Sequence, residues 1–425
     1  MSKVSGIKAT EQSSGSASAP AGRYGKAAWF VESGAVAKNT LINSKSDVDT
    51  LFAGDARLIK ELKAYQLNAL DKASIVVRSL PAGELTVANL GEMINAVKPN
   101  VPEGVEFLVF DIKADLTFVQ GICDALTLLR ANKERYKPLF RFRKALALDL
   151  EGVAAVDGTS GKTSIPATSH GLNPGDEIVI FGTVNYDGSY VLDAASDADN
   201  LVFTHVYTAE TFPAGATLEE TPASYQADAT VEFQNFSDLK AGIVTPTDQD
   251  THLGAVMGVI SSAELSEEPG WVEKFALNGV EVNDTWINDH MAELEGLMSA
   301  RFIVIKKHQE DLTNYFINRA NTMSAPTDDY DSIPYARIAD KLLYEVEYYG
   351  FPAVNSGLFP KDDAGANAVA KMASKGIPAM MEAGELNSAI VKGEWNTDGG
   401  IDLTVDGKGP NFITVVNETV TLSPQ

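Results

Sequence analysis

Val105-Glu106-Phe107-Leu108-Val109-Phe110, a helical stretch from Asp115 to Tyr136 and a second strand-like run from Leu139 to Leu150 together decide the fold class of this chain. The first run is short, apolar and rich in β-branched and aromatic residues, which is strand composition. The stretch after it repeats apolar residues at helical spacing, and Asp115 is a natural N-cap for it. Upstream the same alternation recurs. Asp55 to Asp71 reads as a helix through Leu58, Ile59, Leu62, Leu67 and Leu70, and Ser74-Ile75-Val76-Val77-Arg78 as a strand. Glu84 to Val97 reads as a helix stopped before Pro99. Three such repeats in succession predict an α/β core, a sheet covered by helices.

Beyond residue 150 the texture changes. From 151 to 228 helical periodicity vanishes, while Gly, Thr, Asp and Pro punctuate short runs such as Asp176-Glu177-Ile178-Val179-Ile180-Phe181 and Gly188-Ser189-Tyr190-Val191-Leu192. That spacing of turns predicts an inserted small all-β barrel or sandwich. The α/β texture then resumes with Ala241-Gly242-Ile243-Val244 and a helix from Leu253 to Glu264. A helix from Thr285 to Ser299 leads into two runs, 301–306 and 312–317, that read as paired strands. Ile333 to Tyr349 reads as a long helix stopped by Gly350 and Pro352, and Ala364 to Met381 as another. The end is β again: Ile401 to Val405, a turn at Asp406-Gly407, then Phe412 to Leu422. Ahead of the core, Val4-Ser5-Gly6-Ile7-Lys8-Ala9 alternates like a strand, and residues 13–22 are a flexible linker of Ser, Gly, Ala and Pro. They read as an arm.

The composition bounds the function. A chain of 425 residues holds two to four domains. Its 34 Lys and Arg against 58 Asp and Glu give 34 − 58 = −24. Such a surface repels phosphate, which argues against nonspecific nucleic-acid binding and against an anionic membrane. The single cysteine, Cys123, sits among Ile122, Leu126 and Leu129, so its expected role is core packing. Met1 to Gly22 has no signal-peptide pattern and no run reaches 18 apolar residues, so a protein made and used in a cytoplasm, or released by lysis, is expected.

Candidate chemistry is thin. Gly158-Thr159-Ser160-Gly161-Lys162-Thr163 has two residues between its glycines where a phosphate loop needs four, and Ser164-Ile165-Pro166 cannot start the required helix. The five histidines, 170, 205, 252, 290 and 308, lack zinc-site spacing, and Asp328-Asp329-Tyr330-Asp331 lacks the glycine and distal glutamate of a calcium loop. There is no G-x-S-x-G elbow. No catalytic residue, metal or cofactor is expected, and the chain is read as a structural protein and not an enzyme.

The run Tyr315-Phe316-Ile317-Asn318-Arg319-Ala320-Asn321-Thr322-Met323, then Asp328-Asp329-Tyr330, then Ile333, Arg337, Asp340 and Lys341 on a helix, resembles the C-terminal part of contractile tail sheath proteins. Members of that family carry a Gly-Arg-Thr-Met-like element, an acidic-aromatic loop, and a helix with arginine followed by Asp-Lys. Here two residues separate Arg319 from Thr322. Upstream, Gly34 to Asp55, with Leu41 to Phe52 within it, resembles an early sheath segment in which a strand leads into a short helix ending near Leu-Phe-Gly, with Gly54 one residue later after Ala53.

The chain is expected to divide into four parts, of which the resemblance covers all but the β insert. These are an arm and linker at 1–25, a discontinuous α/β domain at 26–150 and 229–310, the β insert at 151–228, and a C-terminal domain at 311–425. The resemblance implies that the terminal segments join sheets in neighbouring subunits as strands, with Val4 and Ile7 at the front and Phe412, Ile413, Val415 and Val416 at the back. The partners it implies are further copies in a helical assembly, a tail tube protein, and baseplate and tail terminator proteins. The place it implies is a virion tail or contractile particle assembled in a bacterial cytoplasm. The alternative is a phage surface binding module, with the insert as a carbohydrate- or receptor-binding domain and Tyr186 and Tyr190 as stacking platforms.

Overall fold

The computed structural model describes the chain except for residues 1–24, 34–36, 70–73, 102–103, 114–115, 132–133, 143–146, 234–237, 240, 246–251, 272–273, 281–290, 308–313, 325–329, 355–357, 398–399, 410–415 and 423–425. In chain order the first elements are β1 (Ala27–Glu32), β2 (Lys38–Asn43), α1 (Val48–Leu51), α2 (Ala56–Asn68), β3 (Ser74–Leu80), α3 (Leu90–Val97), β4 (Phe107–Lys113), α4 (Leu116–Ala131) and β5 (Lys137–Arg141). Then come seven short strands: β6 (Ala147–Asp149), β7 (Val156–Asp157), β8 (Lys162–Pro166), β9 (Glu177–Phe181), β10 (Gly188–Val191), β11 (Asn200–Thr204) and β12 (Thr217–Glu220). α5 (Pro222–Phe233), β13 (Asp238–Leu239), β14 (Gly242–Thr245), α6 (His252–Ser262), α7 (Met291–Ser299), β15 (Ile303–Lys306), β16 (Phe316–Ile317) and β17 (Met323–Ser324) follow. The last elements are α8 (Ile333–Val354), α9 (Asp363–Ala373), α10 (Ile377–Glu382), β18 (Ser388–Trp395), β19 (Ile401–Lys408) and β20 (Val416–Leu422).

The central sheet has eight strands in the order β16-β15-β14-β5-β4-β1-β3-β2. Its inner strands β3, β1, β4, β5, β14 and β15 are parallel, and antiparallel β2 and β16 close the two edges. Parallel pairing requires crossovers, and the crossovers cover both faces, so the inner strands are apolar on both sides. Trp29, Val77 and Val109 face one core with α2 and α6, and Ala28, Phe30, Val76, Leu108 and Phe110 face another. The predicted α/β core is therefore present. Cys123 lies in the second core, and burial pushes its thiol up to about 12, with Asp124 adding to the shift.

The helices α2 and α6 cross at backbone contact. A Cβ on Gly254 would overlap the Glu61 carbonyl oxygen, and one on Gly258 would lie 2.8 Å from the Tyr65 carbonyl oxygen. The Glu61 carboxylate turns back to accept the Gly254 N–H at 2.6 Å. Beside it, Asp111 accepts from Trp29 Nε1 at 3.2 Å and from Arg57 Nη1 at 2.7 Å.

Between β5 and its parallel neighbour β14 the chain makes two antiparallel sheets, β10-β9-β12-β6 and β11-β8-β7. They enclose their own core of Leu150, Ile165, Ile178, Ile180, Tyr186, Leu201, Phe203, Phe212 and Leu218. The predicted P-loop decoy is the turn between β7 and β8, with Thr159, Ser160 and Gly161 all at positive φ. Two sequence expectations change here. β6, read as the end of a long third strand, pairs with β12 and so belongs to the small sheet. Residues 222–228, read as β texture, begin a helix instead, because Pro222 occupies its first position, where a missing N–H costs nothing.

The C-terminal region packs α8, α9 and α10 against the antiparallel sheet β18-β19-β20 around a further core that includes Leu342, Val346, Val369, Met380, Leu403 and Val405. Here α8 runs on through Gly350 and Pro352 to Val354, contrary to the expected stop at residue 349. Pro352 lies in the last turn, so its missing N–H removes one hydrogen bond near the helix end and the ring does not break a continuing helix. The expected turn at Asp406-Gly407 is also overturned. Both residues lie inside β19, opposite Ile390 and Ala389 on one side and Asn417 and Val416 on the other.

Candidate functional site: an ionic belt around the long C-terminal helix

Arg337, Asp340 and Lys341 lie within two turns of α8, so their side chains leave the helix on neighbouring faces. Each meets a different part of the chain. Arg337 Nε donates to Glu106 Oε1 at 3.0 Å, and its Nη1 donates to the carbonyls of Ala263, at 2.9 Å, and Ile260, at 3.5 Å. A guanidinium at the end of α6 satisfies carbonyls that have no partner inside the helix and complements the helix dipole. Asp340 accepts from Lys137 Nζ at 2.7 Å and from Arg130 Nη1, and Arg135 Nε lies 3.9 Å away. Lys341 Nζ reaches both oxygens of Glu385 at 2.6 Å. Two turns beyond Asp340, Glu347 takes a bidentate pair from Arg135 at 2.6 and 3.1 Å.

The motif residues ahead of α8 continue the belt. Arg319 stacks over the Tyr335 ring, 5.3 Å from its centroid, and faces Asp331 at 3.5 Å and Glu268 at 3.9 Å. Thr322 donates its N–H to the Asp331 carbonyl at 3.1 Å, and its Oγ1 bonds the Tyr330 carbonyl. Met323 is buried, and its N–H joins the Ala241 carbonyl at 2.9 Å. Arg301 clasps the loop from behind, donating to the carbonyls of Thr322 and Asp331. All six sequence-predicted motif residues, Arg319, Thr322, Met323, Arg337, Asp340 and Lys341, therefore sit on or against one belt.

Burial sets the electrostatics. Desolvation alone would push the Asp340 carboxyl up, but Lys137, Arg130 and Arg135 hold it far below the usual carboxylate range. Burial likewise works to raise Glu106, and Arg337, Lys137 and the Gly25 N–H together outweigh it and keep the group below its ordinary value. Glu268 goes the other way, raised by burial despite the Ala320 N–H and Arg319. A buried pair contributes little relative to an apolar pair of the same size, yet losing one partner costs about 3–5 kcal/mol. The belt is thus a lock whose parts depend on each other.

A cleft lies beside the belt, walled by Cys123, Leu126, Arg130, Tyr136, Tyr330 and Asp340. Arg130 and Asp340 are paired with each other in its wall. Among the described residues no cluster of His, Cys, Asp and Glu has metal-binding geometry, and no helix is long and apolar enough to cross a membrane.

The arm residues Val4, Ile7, Phe412, Ile413 and Val415 lie outside the described residues. Val416 opens β20, opposite Gly407 of the same chain. Tyr186, expected as a stacking platform, is fully buried, with its ring against Phe203, Phe212 and His205 and its hydroxyl bonded to Thr208. It has no face to offer a sugar.

The sequence reading missed the partners of the motif: Glu106, Arg130, Arg135, Lys137, Glu347 and Glu385. Glu106 left one signal, a carboxylate in the otherwise apolar run at 105–110.

No protein-family model matches the chain, and no curated protein matches it. Among solved structures, a sheath tail protein from Desulfitobacterium hafniense aligns over 95% of this chain and 97% of its own, with 9% identity and a TM-score of 0.39. An endosialidase of phage phi92 aligns over 18% of this chain and 13% of its own, with 15% identity and a TM-score of 0.16. Neither superposition is close enough to transfer a function.

Proposed function

We propose that this chain is a structural subunit of a contractile tail sheath, assembling helically with copies of itself around a tail tube and contracting to drive that tube through a cell envelope. The observation that carries the reading is the sheet β18-β19-β20. Its third strand comes from the chain's own C-terminal segment, and β18 and β20 are its two outer strands. A small antiparallel sheet with outer strands to offer is a receiver for strands from neighbours, since each added strand brings main-chain hydrogen bonds worth about 1 kcal/mol apiece. The ionic belt ties that sheet's supporting helix to the α/β body, so force on the strands passes to the whole subunit. No step of this function needs a cofactor, metal or catalytic residue, and the charged groups of the belt serve to hold it together. In the particle, the tube, the baseplate and the tail terminator would be the partners, and a bacterial cytoplasm the place of assembly.

Removing residues 409–425 takes β20 out of the sheet and is expected to leave monomers that keep the helical circular-dichroism signal of the α/β body and to abolish tube formation by electron microscopy. Tubes from the shortened chain would contradict strand addition at this sheet. The second reading, a phage surface binding module, is favoured by one feature, the outward face of β9 and β10, where Phe181 is 50% and Val191 60% exposed. The tube assay separates the two, because a binding module has no reason to polymerise.

A further inference from the structure

Glu106 is shared by parts of the chain that are far apart in sequence. Its Oε2 accepts the Gly25 N–H at 2.8 Å, its Oε1 accepts from Arg337 at 3.0 Å, and Lys137 Nζ lies 3.7 Å from the same oxygen. Gly25 stands just ahead of β1 with φ +80°, where a Cβ would come within 2.5 Å of the Ser261 carbonyl oxygen. Its neighbour Lys26 accepts from the N–H groups of both Glu106 and Phe107. The stretch of α6 that crowds Gly25 is also the stretch whose carbonyls, at Ile260 and Ala263, accept from Arg337. The root of the N-terminal segment and helix α8 therefore grip the same carboxylate and the same helix end.

We infer that Gly25, Glu106 and Arg337 form a root clamp that couples the segment ahead of residue 25 to helix α8, so that a pull on that segment is transmitted to α8 and the sheet it supports. The use of the clamp in a sheath rests on the function proposed above, and the coupling itself rests on these contacts. The composition of residues 13–22, all Ser, Gly, Ala and Pro, is that of a linker of little stiffness, and among the described residues the chain is first held at Gly25. The bond there is charge-assisted and buried, the strong kind, because Glu106 stays ionised between Arg337 and Lys137. Arg337 is then a positioning residue for a backbone group it does not touch.

The test is amide hydrogen exchange on the full-length protein, comparing wild type with Arg337→Leu and Asp340→Asn. The second substitution also breaks a buried contact of α8 but leaves Glu106 with its Arg337 partner. Exchange at Gly25 at least tenfold faster in Arg337→Leu and unchanged in Asp340→Asn is the expected result. Wild-type exchange at Gly25 in Arg337→Leu, or equal acceleration in both variants, would overturn the clamp. Gly25→Ala reads the coupling from the other end, since its strained backbone is expected to speed exchange in the first turns of α8, and no change there would also overturn it. Tube formation by wild type is scored separately, so a failed sheath reading and a failed clamp are told apart.

Discussion

Asp340→Asn is expected to destabilise the protein by about 3–5 kcal/mol, seen as a lower urea midpoint at an unchanged slope. The substitution is isosteric and opens no cavity. What it removes is the anion facing Lys137, Arg130 and Arg135, so these three clustered cations are left with Glu106 and Glu347 as the belt carboxylates that face them. Asp340→Ala should cost little more, because charge and not volume is at stake. Wild-type stability in Asp340→Asn would show that the belt is not a lock. The pH dependence has a definite sign. Folding depresses the Asp340 and Glu106 carboxyls below their ordinary values of 3.8 and 4.5. Their contribution is therefore complete above those values and is lost as pH falls below them toward the folded-state values. Glu61 and Glu268, raised by burial, act in the opposite sense but are common to both proteins, so the stability gap between wild type and Asp340→Asn should narrow as pH falls below about 4.

Gly254→Ala is expected to cost about 3 kcal/mol, although alanine is favoured over glycine in a helix by about 1 kcal/mol. The new methyl has nowhere to go. It would overlap a backbone oxygen of α2, which cannot rotate aside, so the two helices must separate and loosen the core they share with Trp29 and Leu62. Gly91→Ala in α3 is the control, since a Cβ there meets nothing within 4 Å. It should stabilise by up to about 1 kcal/mol. Equal effects at the two sites, measured by urea unfolding, would mean that α2 and α6 do not touch as described.

The α/β body was legible because parallel strands buried on both faces are apolar on both faces, and Ile75-Val76-Val77 and Phe107-Leu108-Val109-Phe110 are short unbroken apolar runs between helical patterns. The motif on α8 was legible as spacing and as family likeness, but its partners were not. Asp340 meets Arg130 and Lys137 from about 200 residues away, and nothing local in either stretch announces such a pairing. β18 escaped notice because its exposed residues, Ser388, Ile390, Lys392 and Glu394, alternate with half-buried ones and give no clean apolar face. Asp406-Gly407 misled for the opposite reason. The dipeptide favours turns, yet here it is held straight by strands on both sides. Pro222 and Pro352 misled for a related reason, since a proline in the first turn gives up an N–H with no partner in the helix, and one two residues from the end gives up a single bond.

This chain is proposed to build tubes by lending its N-terminal segment to the sheet β18-β19-β20 of a neighbour, since its own C-terminal strand is paired at home. Electron microscopy of the purified full-length protein beside a variant lacking residues 1–22 tests it most directly. Hollow tubes are expected from the full-length chain and dispersed subunits from the shortened one. Tubes from both would contradict the arm mechanism, and subunits that stay dispersed in both, even with a tail tube present as template, would contradict the sheath reading itself.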